Sequence, residues 1–160
     1  MPPTSQNPNR RSWDSSDPID TARLAAAVAE LLVPGDVVWL RGELGSGKTT
    51  FIQAACKRLG VRQAVSSPTY TVGNRYSSAA GPIAHLDLYR SRGLTVEEWV
   101  DLEPYFDDAI AYVEWPDAGA ALLPAPRLLV DIEIGEGDAR LITIRCDDQA
   151  VLDRLVGALP

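Results

Sequence analysis

The sequence predicts an α/β domain with a mixed parallel and antiparallel sheet, and three observations predict it. Short apolar runs bounded by glycine or proline alternate with segments whose apolar residues recur at helical spacing. Two pairs of β-prone runs are separated by short, glycine-containing connections, which read as antiparallel hairpins. One glycine-rich turn joins an apolar run directly to a helical segment. The chain has 160 residues, one domain's worth of protein. Surface scaling buries roughly 69% of the unfolded surface at this size, enough for a core without disulfides.

Residues 1 to 16 are rich in Pro, Ser, Asn and Arg without periodicity and are expected to form a disordered tail, which leaves 17–160 as a single domain. Asp17 and Pro18 have the chemistry of an N-cap and a first helical residue. Ile19, Ala22, Ala26, Ala29 and Leu32 then recur at helical spacing until Pro34-Gly35 stops the run. Val37 to Leu40 is a short buried strand between Gly35 and Gly42. Thr49 to Leu59 presents Ile52, Ala55 and Leu59 on one helical face, with Gly60 as its C-terminal cap.

The middle of the chain alternates more. Tyr70–Tyr76 and Ile83–Asp87 read as strands joined by Ser-Ser-Ala-Ala-Gly-Pro, and Val96–Tyr105 as a helix interrupted by Pro104. Ile110–Glu114 is an apolar strand that ends on a carboxylate before Trp115-Pro116. Arg127–Ile134 and Leu141–Cys146 flank Gly-Glu-Gly-Asp, a second hairpin signal. Asp147-Asp148 open a last helix with Val151, Leu152, Leu155, Val156 and Leu159 on one face.

The net charge is −7 and it is unevenly distributed. Residues 1–80 carry nine Lys+Arg against six Asp+Glu, whereas residues 81–160 carry six against sixteen. An acidic surface repels a phosphate backbone, so no direct tRNA binding or other capture of nucleic acid is expected without a protein partner. Cys56 and Cys146 stand ninety positions apart and His85 is the single histidine, which leaves no zinc-type cluster and no choice of triad histidine. The cysteines read as small apolar residues in a reducing compartment. No stretch approaches the ~20 apolar residues of a membrane span, and the N-terminus lacks the apolar centre of a signal peptide, so a soluble cytoplasmic protein without membrane attachment is expected.

Gly42-Glu43-Leu44-Gly45-Ser46-Gly47-Lys48-Thr49 fits the phosphate-loop pattern, and Thr50 continues it. With this composition a chance match is on the order of one in a thousand, and the strand before it and the helix after it supply the context the pattern needs. The glycines let backbone N–H groups turn toward a β-phosphate, and the helix N-terminus adds partial positive charge. Lys48, one of only two lysines in the chain, is expected to bridge β- and γ-phosphates, and the Thr49 hydroxyl to ligate Mg²⁺. The whole then reads as a three-layer domain like the phosphate-loop NTPases, with ATP and Mg²⁺ bound through residues 42 to 50. Asp87 and Glu114 each end an apolar run, where carboxylates would face the ligand crevice of an open sheet. They are the candidates for metal binding and, with Lys48, for catalysis. A turn cap and a surface ion pair are the bland alternatives for the two. His85 alternates with Asp87 and reads as a half-buried strand histidine that could support the site.

The phosphate loop together with Ser67-Pro68-Thr69-Tyr70-Thr71, His85-Leu-Asp-Leu-Tyr-Arg90 and Val113-Glu-Trp-Pro116 resembles the TsaE family, in order and spacing over about residues 17 to 146. That resemblance implies the ATPase component of bacterial threonylcarbamoyladenosine synthesis, the modification of tRNA adenosine 37. It implies action on a threonylcarbamoyl-transferase complex with TsaD and TsaB as partners, and weak ATPase activity in isolation. It further implies that Lys48 and Thr49 hold phosphates and Mg²⁺, that Asp87 and Glu114 serve the metal and the attacking water, that Thr69 lies in a switch-like loop, and that Trp115 lies beside the site. The segments near Asp17 and Arg140 are implied to border the adenine. Trp99 stands where a leucine is expected, and the tail before Asp17 is extra. A guanine-reading Asn-Lys-x-Asp is absent and residues 75–82 are too short for a kinase lid, but a non-catalytic, nucleotide-dependent adaptor uses the same loop and stays open.

Overall fold

The computed structural model describes residues 7–68 and 73–159. Its sheet has seven strands: β1 (Arg10–Ser15), β2 (Val37–Arg41), β3 (Gly73–Ser78), β4 (Gly81–Asp87), β5 (Ile110–Glu114), β6 (Leu128–Ile134) and β7 (Arg140–Arg145), in the order β1-β7-β6-β2-β5-β4-β3. The centre is parallel, with β2 between β5 and β6 and β4 beside β5. The margins are antiparallel: β3 on β4, and β7 between β6 and β1. The central strands β2 and β5 are buried on both faces, which is why they read in sequence as continuous apolar runs.

One face packs under α1 (Pro18–Ala29), α2 (Lys48–Arg58) and α4 (Gln149–Leu155), where Leu24, Leu40, Phe51, Ile52, Ile110 and Leu152 are fully buried. Each such side chain removed from water contributes roughly 1.5–3 kcal/mol. The other face carries a thinner layer, α3 (Val96–Leu102) with 3₁₀ turns at Glu103–Phe106 and Pro116–Gly119, over Val37, Trp39, Leu86 and Val113. Three layers around a mixed sheet are what the sequence predicts.

The helix ends follow from their chemistry. Asp17 Oδ1 accepts from the N–H groups of Ile19 (2.8 Å) and Asp20 (2.9 Å) and Pro18 opens the first turn, as the sequence indicates. Thr95 and Glu98 form a reciprocal capping box that starts α3. The helix then tightens into a 3₁₀ turn at Glu103, where Pro104 removes a donor.

Three expectations are corrected. Residues 10–15, assigned to the tail, form β1, with Trp13 opposite Ile142 and the Ser12 and Thr143 hydroxyls 2.9 Å apart. An edge strand needs only one partner, here 130 residues away, and its six residues show no apolar alternation. The first hairpin is tighter than expected, because β3 and β4 pair as far as Ser78 and Gly81 and leave only Ala79-Ala80 to turn. The last helix ends at Leu155, and Val156 is exposed rather than part of its apolar face. Residues 70–72 of the expected Tyr70–Tyr76 strand lie outside the described residues. Among the described residues, no helix is long and apolar enough to cross a membrane, and both cysteines are buried with free thiols.

Candidate functional site

The parallel strands β2, β4 and β5 end at one level, with Leu40 opposite Glu114 and Asp87 opposite Glu114. The Gly42 loop therefore leaves the sheet directly beside both carboxylates predicted from sequence, at the carboxyl ends of the strands where open α/β sheets place their ligands.

The loop's backbone explains its glycines. Gly45 and Gly47 have φ of +78° and +106°, and a Cβ on either would meet nothing within 4 Å. Gly42 is confined: a Cβ there would lie 2.4 Å from Ser46 Oγ and 2.6 Å from the Ile132 carbonyl. Gly47 caps α2 without any side-chain hydrogen bond, which leaves the helix's first N–H groups facing the loop. This open, amide-lined turn at an uncapped helix start is a cradle for an anion.

Lys48 is 6% exposed. Its Nζ donates to the Gly42 carbonyl (2.7 Å) and the Glu43 carbonyl (3.0 Å), and lies 4.2 Å from the centre of the Trp115 ring. Burial lowers the pKa of its ammonium, while the nearby charges of Glu114 and Asp87 act in the opposite direction. Trp115 holds a left-handed backbone (φ 56°), rare for a non-glycine residue, and its ring lies 4.9 Å from that of Tyr89.

The carboxylates share a hydrogen-bond network. Glu114 is 2% exposed; its Oε1 accepts from Thr49 Oγ1 at 2.9 Å, and its Oε2 lies 3.2 Å from His85 Nε2. Ser67 Oγ donates to Asp87 Oδ2 at 2.7 Å and lies 3.5 Å from Glu114 Oε2, and the Tyr89 N–H donates to Asp87 Oδ1 at 2.9 Å. Burial alone would raise both pKa values. Asp87 follows it upward, whereas His85, by its hydrogen bond and charge, and the hydrogen bond from Thr49 hold Glu114 below the ordinary carboxylate value.

Thr49, Asp87 and Glu114 thus form an oxygen-only donor set at the loop. Among the described residues no group of three or more His, Cys, Asp and Glu is arranged to hold a metal on its own. A hydroxyl and two carboxylates fit Mg²⁺, which is ordinarily held by one or two carboxylates together with substrate phosphates.

The structure brings together Lys48, Thr49, Asp87 and Glu114, with Trp115 beside them. Glu43 and Leu44 sit on the exposed part of the loop. Thr69 lies outside the described residues. His85 is fully buried and bonded to Glu114, closer to the chemistry than a half-buried strand residue. Ser67 was not singled out, although the Ser-Pro-Thr-Tyr block contains it. Arg140 was not assigned a contact either; it reaches the loop from 94 positions away, where local sequence carries no signal. A cleft of about 740 Å³, lined by Asp36, Arg127, Cys146 and Asp148 among others, lies at the opposite end of β2 and holds none of these groups.

Residues 15–142 match the family described as threonylcarbamoyl adenosine biosynthesis protein TsaE. The tRNA threonylcarbamoyladenosine biosynthesis protein TsaE of Bacillus subtilis is 36% identical over 132 residues, covering 82% of each chain. That of Streptomyces coelicolor is 40% identical over 118 residues, 72% of this chain and 80% of the relative. The crystal structure of B. subtilis YdiB matches the fold with a TM-score of 0.74 at 28% identity, covering 93% of each chain.

Proposed function

We propose that this chain, which belongs to the TsaE family, acts in tRNA threonylcarbamoyladenosine biosynthesis by binding and hydrolysing ATP with Mg²⁺ at the Gly42–Thr50 loop. The observation that supports it most is that Lys48 bonds the Gly42 and Glu43 carbonyls of that loop while Thr49, Glu114 and Asp87, linked through Ser67, share one hydrogen-bond network beside it.

Each residue then has a task its surroundings suit. The loop amides and the start of α2 bind the phosphates. Lys48 turns from the Gly42 and Glu43 carbonyls to phosphate oxygens, while the Trp115 ring limits where its ammonium can go. Thr49 and Asp87 would hold the metal; burial disfavours the charge of Asp87, and a bound cation would favour its carboxylate form. Glu114 stays ionised under its hydrogen bonds and orients the attacking water. Mg²⁺, when bound, neutralises charge developing on the phosphate oxygens.

The acidic second half of the chain opposes direct capture of tRNA, so hydrolysis acts through the enzyme that holds tRNA, the TsaD and TsaB subunits of the threonylcarbamoyl-transferase complex, resetting it between rounds in the cytoplasm. The test is ATP turnover and repeated tRNA modification with those subunits added. Turnover should rise on their addition, fall with Glu114→Gln, and shift to a higher Mg²⁺ requirement with Asp87→Asn. Repeated modification, but not the first round, should need intact Lys48. Wild-type turnover in both carboxylate variants would refute the hydrolytic assignment, and ATP binding without turnover under any condition would leave the non-catalytic adaptor. Multiple-turnover modification without this protein, or its own tight tRNA binding, would refute the role.

A further inference from the structure

Arg140, the first residue of β7, stands behind the phosphate loop. Its Nε donates to the Ser46 carbonyl at 2.9 Å and its Nη2 to the Gly45 carbonyl at 3.2 Å. Its Nη1 donates to the carbonyls of Ala139 (2.8 Å) and Gly137 (3.2 Å), which ties the same planar group to the β6–β7 hairpin. These hydrogen bonds go to backbone carbonyls rather than to a carboxylate. Lys48 Nζ meanwhile engages the carbonyls of Gly42 and Glu43. Two cations therefore divide four carbonyls of one loop.

The two holds are not equivalent once phosphate is considered. An ammonium that bridges two phosphate oxygens gives up at least one of the Gly42 and Glu43 carbonyls, because Nζ has three N–H donors and two already serve those carbonyls. Arg140 has no such conflict. A peptide unit is planar and trans, so fixing the Ser46 carbonyl toward Arg140 fixes the Gly47 N–H toward the opposite side, away from the guanidinium. The Gly45–Ser46 peptide is also held from the other side, by the Ser46 N–H donating to the Glu43 carbonyl at 3.0 Å, but φ of +78° and +106° at Gly45 and Gly47 leaves the Ser46–Gly47 peptide in a stretch where glycine populates many conformations readily.

We infer that Arg140 is a positioning residue for phosphate binding, holding the Gly45 and Ser46 carbonyls outward so that the loop keeps its amide-lined shape when Lys48 moves to the nucleotide. The inference rests on the nucleotide reading above and adds to it a residue outside the loop motif. The requirement is for a fork: two N–H groups must meet two successive carbonyls, which a lysine ammonium cannot do with the same geometry.

The experiment is calorimetric titration of Mg-ATP into the full chain, its Arg140→Lys variant and its Arg140→Gln variant, with thermal unfolding of each measured without nucleotide. Losing a two-pronged contact should weaken ATP affinity roughly tenfold in both variants, because keeping the charge does not restore the fork. The unfolding midpoint should move by less than about 3 °C, since the substitutions remove side-chain bonds to loop carbonyls but leave the β6–β7 backbone pairing and the core in place. Wild-type affinity in either variant would overturn the inference. So would an affinity loss accompanied by a midpoint loss of about 10 °C or more in both variants, which marks general structural damage. A wild-type chain that binds no ATP would instead overturn the nucleotide reading, and the Arg140 role with it.

Discussion

Gly42 and Gly45 occupy one loop but are glycines for different reasons. At Gly45 only φ (+78°) resists a side chain, whereas at Gly42 a Cβ would also press within 2.6 Å of the Ile132 carbonyl, which a strand holds in place. Gly42→Ala is therefore expected to destabilise the fold by about 3 kcal/mol and Gly45→Ala by about 1 kcal/mol, measured by urea unfolding. Equal losses would contradict the close-approach account. Glu114 gives a second residue-scale prediction. Its folded pKa lies below the ordinary value of 4.5, so its ionised form adds stability above that pH, and this is lost as pH falls through the folded value. The unfolding midpoint of the wild type minus that of Glu114→Gln should be positive at pH 7 and shrink below about pH 4.5. A difference independent of pH would show that the hydrogen bonds to Glu114 do not depend on its charge. At this scale the sequence was most legible where chemistry is concentrated in a short spacing, as from Gly42 to Thr49. It was least legible at Ser67 and Arg140, whose roles exist only because folding brings them beside residues 20 and 94 positions away.

Among the elements, the central strands β2 and β5 were readable because burial on both faces demands unbroken apolar runs, while β6 was readable from its alternation and the hairpin that follows it. β1 was not, since an edge strand carries only half of that constraint and its large apolar residue is Trp13 alone. Its pairing with β7 and the packing of Trp13 on the helix-covered core give it a measurable role. Trp13→Ala should cost about 2 kcal/mol in urea unfolding, less than a fully buried tryptophan because the ring is only half-buried. No change would restore the reading of residues 10–15 as tail. The tight Ala79-Ala80 turn and the early end of α4 were missed for another reason. Element boundaries depend on hydrogen bonds to partners that periodicity does not contain, such as Val156 N–H to the Asp153 carbonyl.

For the whole molecule, the parallel order of β2, β5 and β4 brings a loop, two carboxylates and a histidine from three separate stretches of chain to one end of the sheet. The net charge of −7 disfavours contact with a phosphate backbone, which is why the proposed function runs through a protein partner. The central claim is that this end of the sheet binds Mg-ATP through Lys48. Calorimetric titration of Mg-ATP into the wild type and Lys48→Ala tests it most directly. The wild type should bind one ATP per chain, and the variant should bind more than about tenfold weaker, the scale of one lost charge-assisted contact, with its unfolding midpoint retained. Equal affinity in the two proteins would contradict the account.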